Sequence, residues 1–440
     1  MSNTSFALRM SVVIPLTLSI YFGQSKLMDT NHTIIDGSQG EGGGQILRNA
    51  IAYAALLNEP VEITNIRAGR RKPGLRPQHM TGLRLCAEIA GGTLEGDEVG
   101  STRVRYQPNK ANRIDQKRHH VFVGDTKTAG SVCLLLQAAL PCALFARTRA
   151  SGNLGTDTAD PDTVGPIQLE LRGGTNAAMA PQMEYLTGVF LPVAQKGFGL
   201  PVGTAIDIQR HGYFPKGGGV VKVRVPTMQT KLKPISLIER GEIIDVRIRS
   251  FYAGNCPRLV AEEMAASAVN EFSNVKIDGK RQRPHVEIVN DPDALDAASG
   301  ILVVAETSTG CIFGGSALGS RKEKATITGK NAAKEIIAAL AGGCVDGWLQ
   351  DQLIIYMALA DGVSEIITGC LTLHTRTAID ISEQMTGATF EVKRLDEAAT
   401  EGVGFTSASA HKDAQEHIYG AKGLITGRHL IRCQGIGHAG

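Results

Sequence analysis

The chain has 440 residues, 42% hydrophobic and 20% charged, with a formal net charge of +3. That apolar fraction excludes a disordered chain, and the length allows two or three domains with a sizeable core. The near-neutral balance excludes a global electrostatic field for nucleic acid, while 51 glycines without a Gly-X-Y period point to tight turns or close backbone approach rather than collagen.

Residues 1–30 read as an N-terminal extension, either targeting or spurious, because the apolar run Ser11–Phe22 is too short to span a bilayer and a second methionine, Met28, follows it. The first convincing strand is His32–Asp36, and Gln45–Leu57 reads as a helix. Between them lies IDGSQGEGGGQILR, where Glu41 is embedded in glycines at a helix start. Converging backbone amides suit an anion, and a carboxylate among them suggests a Mg²⁺ ligand facing a phosphate; a flexible turn with an exposed Glu is the alternative.

The strand VEITNI at 61–66 leads into IRAGRRKPGLRPQH, where Arg67, Arg70 and Arg76 offer forked donors suited to phosphate oxygens. Helices are expected at Gln78–Ile89 and Ser131–Leu140. The windows 61–80 and 101–120 carry local excesses of +4 and +5, so each is either an anion site or a solvated loop. Arg147–Pro166 reads as a loop insertion, Pro181–Lys196 as a helix and 220–225 as a strand.

Residues 242–340 form a block of their own, with strands from Ile243, His285 and Ile301 and helices at Pro257–Phe272 and Asn331–Leu340. Further on, Ile366–Leu373 reads as an apolar strand closed by His374, with a helix from near Thr377 to Met385. A helix N-terminus there should keep the imidazole neutral and so nucleophilic. The stretch 395–426 reads as a polar insertion. Short strands alternating with helices argue an α/β or α+β architecture of layered sheets.

Eight scattered cysteines without a CxxC pair indicate reduced thiols and an intracellular setting. No P-loop, GxGxxG, nucleophile elbow, HExxH or EF-hand pattern is present. No segment outside the N-terminus has the length and apolarity of a membrane helix.

The stretches DGSQGEGGGQILR, IRAGRRKPGLRPQHMTGL, DTKTAGSVCLLLQ, GGTNAAMAPQ, HGYFPKGGG, AETSTGCIFGGS, DGWLQDQLIIYMALADG, LTLHTRTAI and CQGIG occur in this order between residues 36 and 437. In them the chain resembles the RNA 3′-terminal phosphate cyclases. The resemblance implies an α+β fold. A large domain repeats a unit of a four-stranded sheet and two helices three times, as in the C-terminal domain of initiation factor 3. A smaller α/β domain is inserted, giving parts at 31–241, 242–340 and 341–440.

It further implies ATP-dependent cyclisation of an RNA 3′-phosphate through a histidine–AMP and then an RNA-adenylate. His374 matches the nucleophile and Glu41 the carboxylate for Mg²⁺ or Mn²⁺. Arg48, Arg67, Arg70 and Gln78 match positions near the phosphate-bearing RNA end. Gln137, Pro181, Trp348, Leu349, Asp351 and Gln352 match the ATP contacts. Trp348 stands where tyrosine is common and Gly347 where an acidic residue is common. The partners implied are RNA 3′-phosphate ends and ATP, with no membrane, in the nucleus or cytoplasm. The alternatives are a catalytically inactive cyclase-like factor in ribosomal RNA processing, a branch that lacks the histidine, and more remotely a transferase acting on small phosphorylated metabolites.

Overall fold

A computed structural model of the chain describes residues 32–111, 114–115, 121–149, 165–395 and 424–439. The expected N-terminal extension and most of the insertions at 147–166 and 395–426 lie outside the described residues.

One unit recurs three times. The first consists of β1 (Thr33–Asp36), α1 (Gly44–Leu57), β2 (Val61–Thr64), α2 (Pro77–Ala90), β3 (Thr93–Glu95) and β4 (Val104–Gln107), in the sheet order β1-β2-β4-β3. β1 and β2 are parallel and the other pairs antiparallel. A two-residue strand β5 (Ile114–Asp115) precedes the second unit. That unit comprises β6 (Val121–Asp125), α3 (Val132–Leu144), β7 (Thr148–Arg149), which pairs with β5, then β8 (Ile167–Gly173). It continues through α4 (Met183–Tyr185), a π-helical turn Leu186–Phe190 and α5 (Leu191–Phe198) to β9 (Ala205–Arg210) and β10 (Gly219–Val225). Its sheet runs β6-β8-β10-β9, the same order with the same parallel first pair.

The third unit opens with β11 (Ser236–Leu237) and is then interrupted. A fourth sheet is built from β12 (Ile243–Ala253), β13 (His285–Asp291), β14 (Ala298–Thr307) and β15 (Ile312–Leu318), in the order β13-β12-β14-β15. Its helices are α6 (Arg258–Asn274) and α7 (Ala325–Gly342), and Ile248, Met264, Phe272, Val303, Phe313 and Ile336 fill the core between them. The chain then completes the third unit with α8 (Leu349–Leu359), β16 (Val363–Thr368), α9 (Leu373–Thr386), β17 (Thr389–Leu395) and β18 (Arg428–Gln434), in the order β11-β16-β18-β17. The expected α+β class, with three sheet–helix units and a smaller inserted block, is therefore the observed one.

Local chemistry explains the helix ends at the site. Pro77 opens α2, where its missing N–H costs nothing, and Gly91 closes it at φ 70°. Ser131 caps α3 by accepting from Leu134 N. Thr372 caps α9 by accepting from Thr375 N at 3.1 Å, and Gly387 ends it at φ 74°. One continuous core joins α1, α2, α3, α8 and α9 to their sheets, including Ile46, Leu83, Leu136, Leu353 and Ile381.

Two sequence readings need correction. The strand expected over Ile366–Leu373 ends at Thr368, and the helix begins at Leu373, so His374 lies inside the first turn of α9 rather than before the helix. The Thr372 cap sets that start. α8 was not anticipated as a helix, because it is buried nearly all round and shows no polar stripe. Among the described residues no helix is long and apolar enough to cross a membrane.

Candidate active site

A cleft of about 850 Å³ opens where the first and third units meet the second. Glu41, Arg48, Arg67, Arg70, Gln78 and His374 all line it. The loop from β1 to α1 supplies Glu41. Asp36 shapes its start by accepting from Ser38 N and Oγ at 2.9 and 2.7 Å. Gly40 and Gly42 sit at φ 54° and 57°, where a side chain would be strained. At Gly43 a Cβ would stand 1.9 Å from Glu41 Oε1, so only glycine lets this carboxylate fold back over its own loop.

Thr377 on α9 ties the loop to the third unit by accepting from Glu41 N at 3.1 Å. The carboxylate then meets Arg70 and His374. Glu41 Oε1 lies 2.9 Å from Arg70 Nη2, and Oε2 lies 2.7 Å from His374 Nδ1. Burial raises the Glu41 carboxyl, but His374, Arg48 and Arg70 outweigh it and the net shift is downward. For His374 burial pulls the imidazole down, while the Glu41 contact and the Asp351 charge pull it up, and the net shift is upward. The helix N-terminus was expected to lower this ring's proton affinity, and the net shift is in the opposite direction. A carboxylate at contact distance is stronger than a helix end whose effect falls off within a turn.

The arginine loop is built by its own side chains. Arg67, at φ 53°, donates from Nη1 to Lys72 O at 3.0 Å and Gly74 O at 2.9 Å, closing the turn around Pro73. Arg70 also donates to Glu41 O and Gly42 O. Arg48 donates to Gln45 Oε1, and the charges of Glu41 and Asp351 bear on it. Gln78 Oε1 accepts from Ser131 N at 3.1 Å, joining α2 to the start of α3. The second basic window behaves differently. Arg103 and Arg105 both pair with Glu62, at 2.6 and 3.0 Å, and hold its carboxyl down at about 2. Those two arginines are paired with Glu62 on the first sheet, while Arg67, Arg70 and Arg76 of the 61–80 window line the cleft.

None of the residues matched to ATP contacts lines this cleft. Gln137 is half-buried on α3, and Pro181 and Leu349 are buried. Trp348 is partly buried at the start of α8. Its indole N–H donates to Glu335 Oε1 at 2.7 Å, and Glu335 Oε2 accepts from Ser316 N at 2.8 Å. Asp346 accepts from Trp348 N, Leu349 N, Gly314 N and the Tyr185 hydroxyl, fixing the start of α8 against β15. Gln352 Nε2 donates to Trp348 O at 2.6 Å. Asp351 is pushed up to about 6 by burial, with His374 and Arg48 opposing, which places it within electrostatic reach of the cleft.

Two residues of the site were not singled out from the sequence. His79 lines the cleft, and its Nδ1 accepts from Arg76 N at 3.2 Å, which puts the proton on Nε2. Burial first, then Arg48, Arg67 and Arg76, hold it down at about 3, so it is a neutral donor. Its position directly after Gln78 was the available signal. Gln350, 1% exposed, accepts from Thr372 N at 3.2 Å and Thr375 Oγ1 at 2.8 Å, clamping the first turn of α9 to α8. Its place two residues after Trp348 gave no signal of that role.

Among the described residues no three His, Cys, Asp or Glu groups converge as a metal cage. Glu41 nevertheless lines the cleft, with Oε1 beside Arg70 and Oε2 beside His374. A single such carboxylate fits a Mg²⁺ or Mn²⁺ ion that takes its other ligands from phosphates and water.

Residues 39–392 match the family model described as RNA 3′-terminal phosphate cyclase. The chain is 39% identical over 367 residues to a probable RNA 3′-terminal phosphate cyclase of Dictyostelium discoideum, covering 82% of this chain and 78% of that one. It is 37% identical over 375 residues to the RNA 3′-terminal phosphate cyclase of Pyrobaculum aerophilum, covering 84% and 98%. The protein of that name from Drosophila melanogaster is 37% identical over 361 residues, covering 81% and 92%. With the repeated fold and the cleft, these matches establish that the chain belongs to the RNA 3′-terminal phosphate cyclase family.

Proposed function

We propose that this protein uses ATP to convert an RNA 3′-terminal phosphate into a 2′,3′-cyclic phosphate. The observation that carries the reading is His374 held by Glu41 at 2.7 Å on the wall of a cleft that also presents Arg48, Arg67 and Arg70. A nucleophile, a carboxylate and forked phosphate donors then share one site.

In this proposal the Glu41 contact at Nδ1 orients the ring and leaves Nε2 for attack. Nε2 attacks the α-phosphorus of ATP, forming a P–N bond and releasing pyrophosphate. An oxygen of the RNA 3′-phosphate then attacks the same phosphorus. The P–N bond breaks, its electron pair returns to His374, and AMP passes to the RNA. The neighbouring 2′-hydroxyl attacks the activated 3′-phosphorus, loses its proton and expels AMP. A terminal phosphomonoester has no good leaving group, and adenylation supplies one. Closure is intramolecular and gains from proximity.

Arg67, Arg70 and Gln78 would hold the RNA phosphate, with Arg48 and neutral His79 adding donors to developing charge. Trp348 would offer adenine an aromatic face, with Gln137, Pro181, Leu349, Asp351 and Gln352 around the nucleotide. Glu41 would hold the divalent ion, whose contribution when bound is to neutralise phosphate charge. An intracellular setting, in nucleus or cytoplasm, belongs to the proposal, because eight free thiols suit a reducing compartment. The inactive-factor reading is disfavoured by His374, Glu41 and Arg70 standing together.

The test is incubation of 3′-phosphorylated RNA with ATP and Mg²⁺. Cyclisation leaves the terminal phosphate resistant to phosphatase. A terminal phosphate that stays phosphatase-sensitive in the presence of folded protein would refute the reading.

A further inference from the structure

Two large apolar side chains stand in solvent, one on the wall of this polar cleft and one on a loop hydrogen-bonded to that wall. Met179, which lines it, is 82% exposed, and Phe214 is 80% exposed. Met179 also has φ 62°, a conformation that an unbranched side chain adopts at some cost and that tends to mark functional positions.

The backbone beneath them is tightly knit. Thr175 N donates to Gly212 O at 2.9 Å, and Gly212 N donates to Thr175 Oγ1 at 3.1 Å, joining the loops that carry Met179 and Phe214. Gly174 N donates to Gly130 O at 2.8 Å, joining the first of these to the loop before α3. Gly217 presses on the same loop, where a Cβ would come within 2.6 Å of Thr128 O. Thr128 and Gly130 both line the cleft. Tyr213, the neighbour of Phe214, is anchored to the inserted block. Its ring stacks on Phe251 at 5.4 Å, and its hydroxyl donates to Asp291. Phe214 is therefore exposed on a loop fixed against two loops that line the cleft.

A ligand that meets this surface must offer anionic groups to Arg67, Arg70 and Arg76 and flat apolar faces to the two exposed side chains. A single nucleic-acid strand does both. Backbone phosphates suit arginine, and bases stack on aromatic rings with little regard to sequence. Methionine adds a flexible, polarisable surface that adapts to different bases. We propose that Met179 and Phe214 form a stacking platform for the nucleotides adjoining the RNA 3′-phosphate. The proposal rests on the cyclase reading for the identity of the strand.

The test uses the full-length protein and Phe214→Ala and Met179→Ala, both truncations of exposed side chains. Binding of a fluorescent 3′-phosphorylated oligoribonucleotide is measured by anisotropy, beside cyclisation kinetics and self-adenylation. Three substrates are compared: the intact strand, the same strand abasic at the two nucleotides before its end, and a nucleoside 3′-monophosphate. Phe214→Ala is expected to weaken binding and raise KM for the intact strand about tenfold, from the usual strength of one base–aromatic stack. Met179→Ala should show a smaller loss. Self-adenylation and use of the monophosphate should not change, and wild type and variants should converge on the abasic strand. Equal binding of the intact strand by wild type and Phe214→Ala would overturn the platform, as would an undiminished loss on the abasic strand. A base-dependent loss of binding in a protein that cyclises no RNA would uphold the platform and count against the cyclase reading instead.

Discussion

His211 is the cation of a cluster that joins the second unit to the inserted block, and its titration should be visible in stability. Its Nε2 lies 2.8 Å from Glu184 Oε1 and its Nδ1 3.0 Å from Asp291 Oδ1. Arg249 stands 3.7 Å from Glu184, Asn176 Nδ2 donates to Glu184 Oε2 at 3.2 Å, and the Tyr213 hydroxyl donates to Asp291. Burial alone would lower the imidazole, but the two carboxylates lift it to about 9. The folded protein therefore holds this proton more tightly than the unfolded chain does. The stabilisation is complete below the unfolded value of about 6.5 and is lost as pH rises through about 9. At ~1.4 kcal/mol per tenfold change in proton affinity the span corresponds to about 3 kcal/mol. The depressed carboxyls of Glu184 and Asp291 are the same interaction seen from the other side, so it counts once. Urea unfolding of wild type and His211→Gln between pH 6.5 and 10 measures it. The stability difference should be about 2–3 kcal/mol near pH 7 and shrink to a small remainder by pH 10. A difference that stays constant across that range, or grows with pH, would refute the reasoning.

Arg70→Ala and Arg67→Ala should reduce use of 3′-phosphorylated RNA at least tenfold while reducing self-adenylation less, because these side chains are assigned to the RNA phosphate. Equal losses in both steps would contradict that division. Arg67→Ala should also lower stability by about 1 kcal/mol, since its donors close the 67–74 turn, and thermal unfolding reports this. Because Trp348 is the only tryptophan, ATP binding at the proposed adenine face should change the protein's tryptophan emission, and unchanged emission at saturating ATP would remove that assignment. Chelation of divalent ions should abolish self-adenylation, and Glu41→Gln should raise the Mg²⁺ concentration needed for half-maximal rate; an unshifted requirement would exclude Glu41 as the ligand.

Much of the site was legible because its parts lie in continuous motifs whose chemistry is local. Glycines around Glu41 and three arginines around Pro73–Gly74 stood out in the sequence as candidates for an anion site, and the structure brings them to one cleft. The meeting of Glu41 with His374 was not legible, since it depends on how the first and third units pack, through Thr377 and the core between α1 and α9. The direction of the His374 shift was misjudged for the same reason: the opposing carboxylate comes from the far end of the chain. Its placement at a strand end also failed, because the apolar run 366–373 continues past the strand, and only the Thr372 cap marks where the helix begins. α8 was hidden by being buried on every side, which removes the periodic contrast on which helix recognition depends.

The central claim is that His374 is the nucleophile that takes AMP from ATP. Incubation with ATP labelled at the α-phosphorus and Mg²⁺, followed by denaturing separation, tests it directly. Wild-type protein should carry an acid-labile label, as expected of a P–N bond, and folded His374→Ala should carry none. Absence of label on folded wild type, or label retained by His374→Ala, would contradict the account.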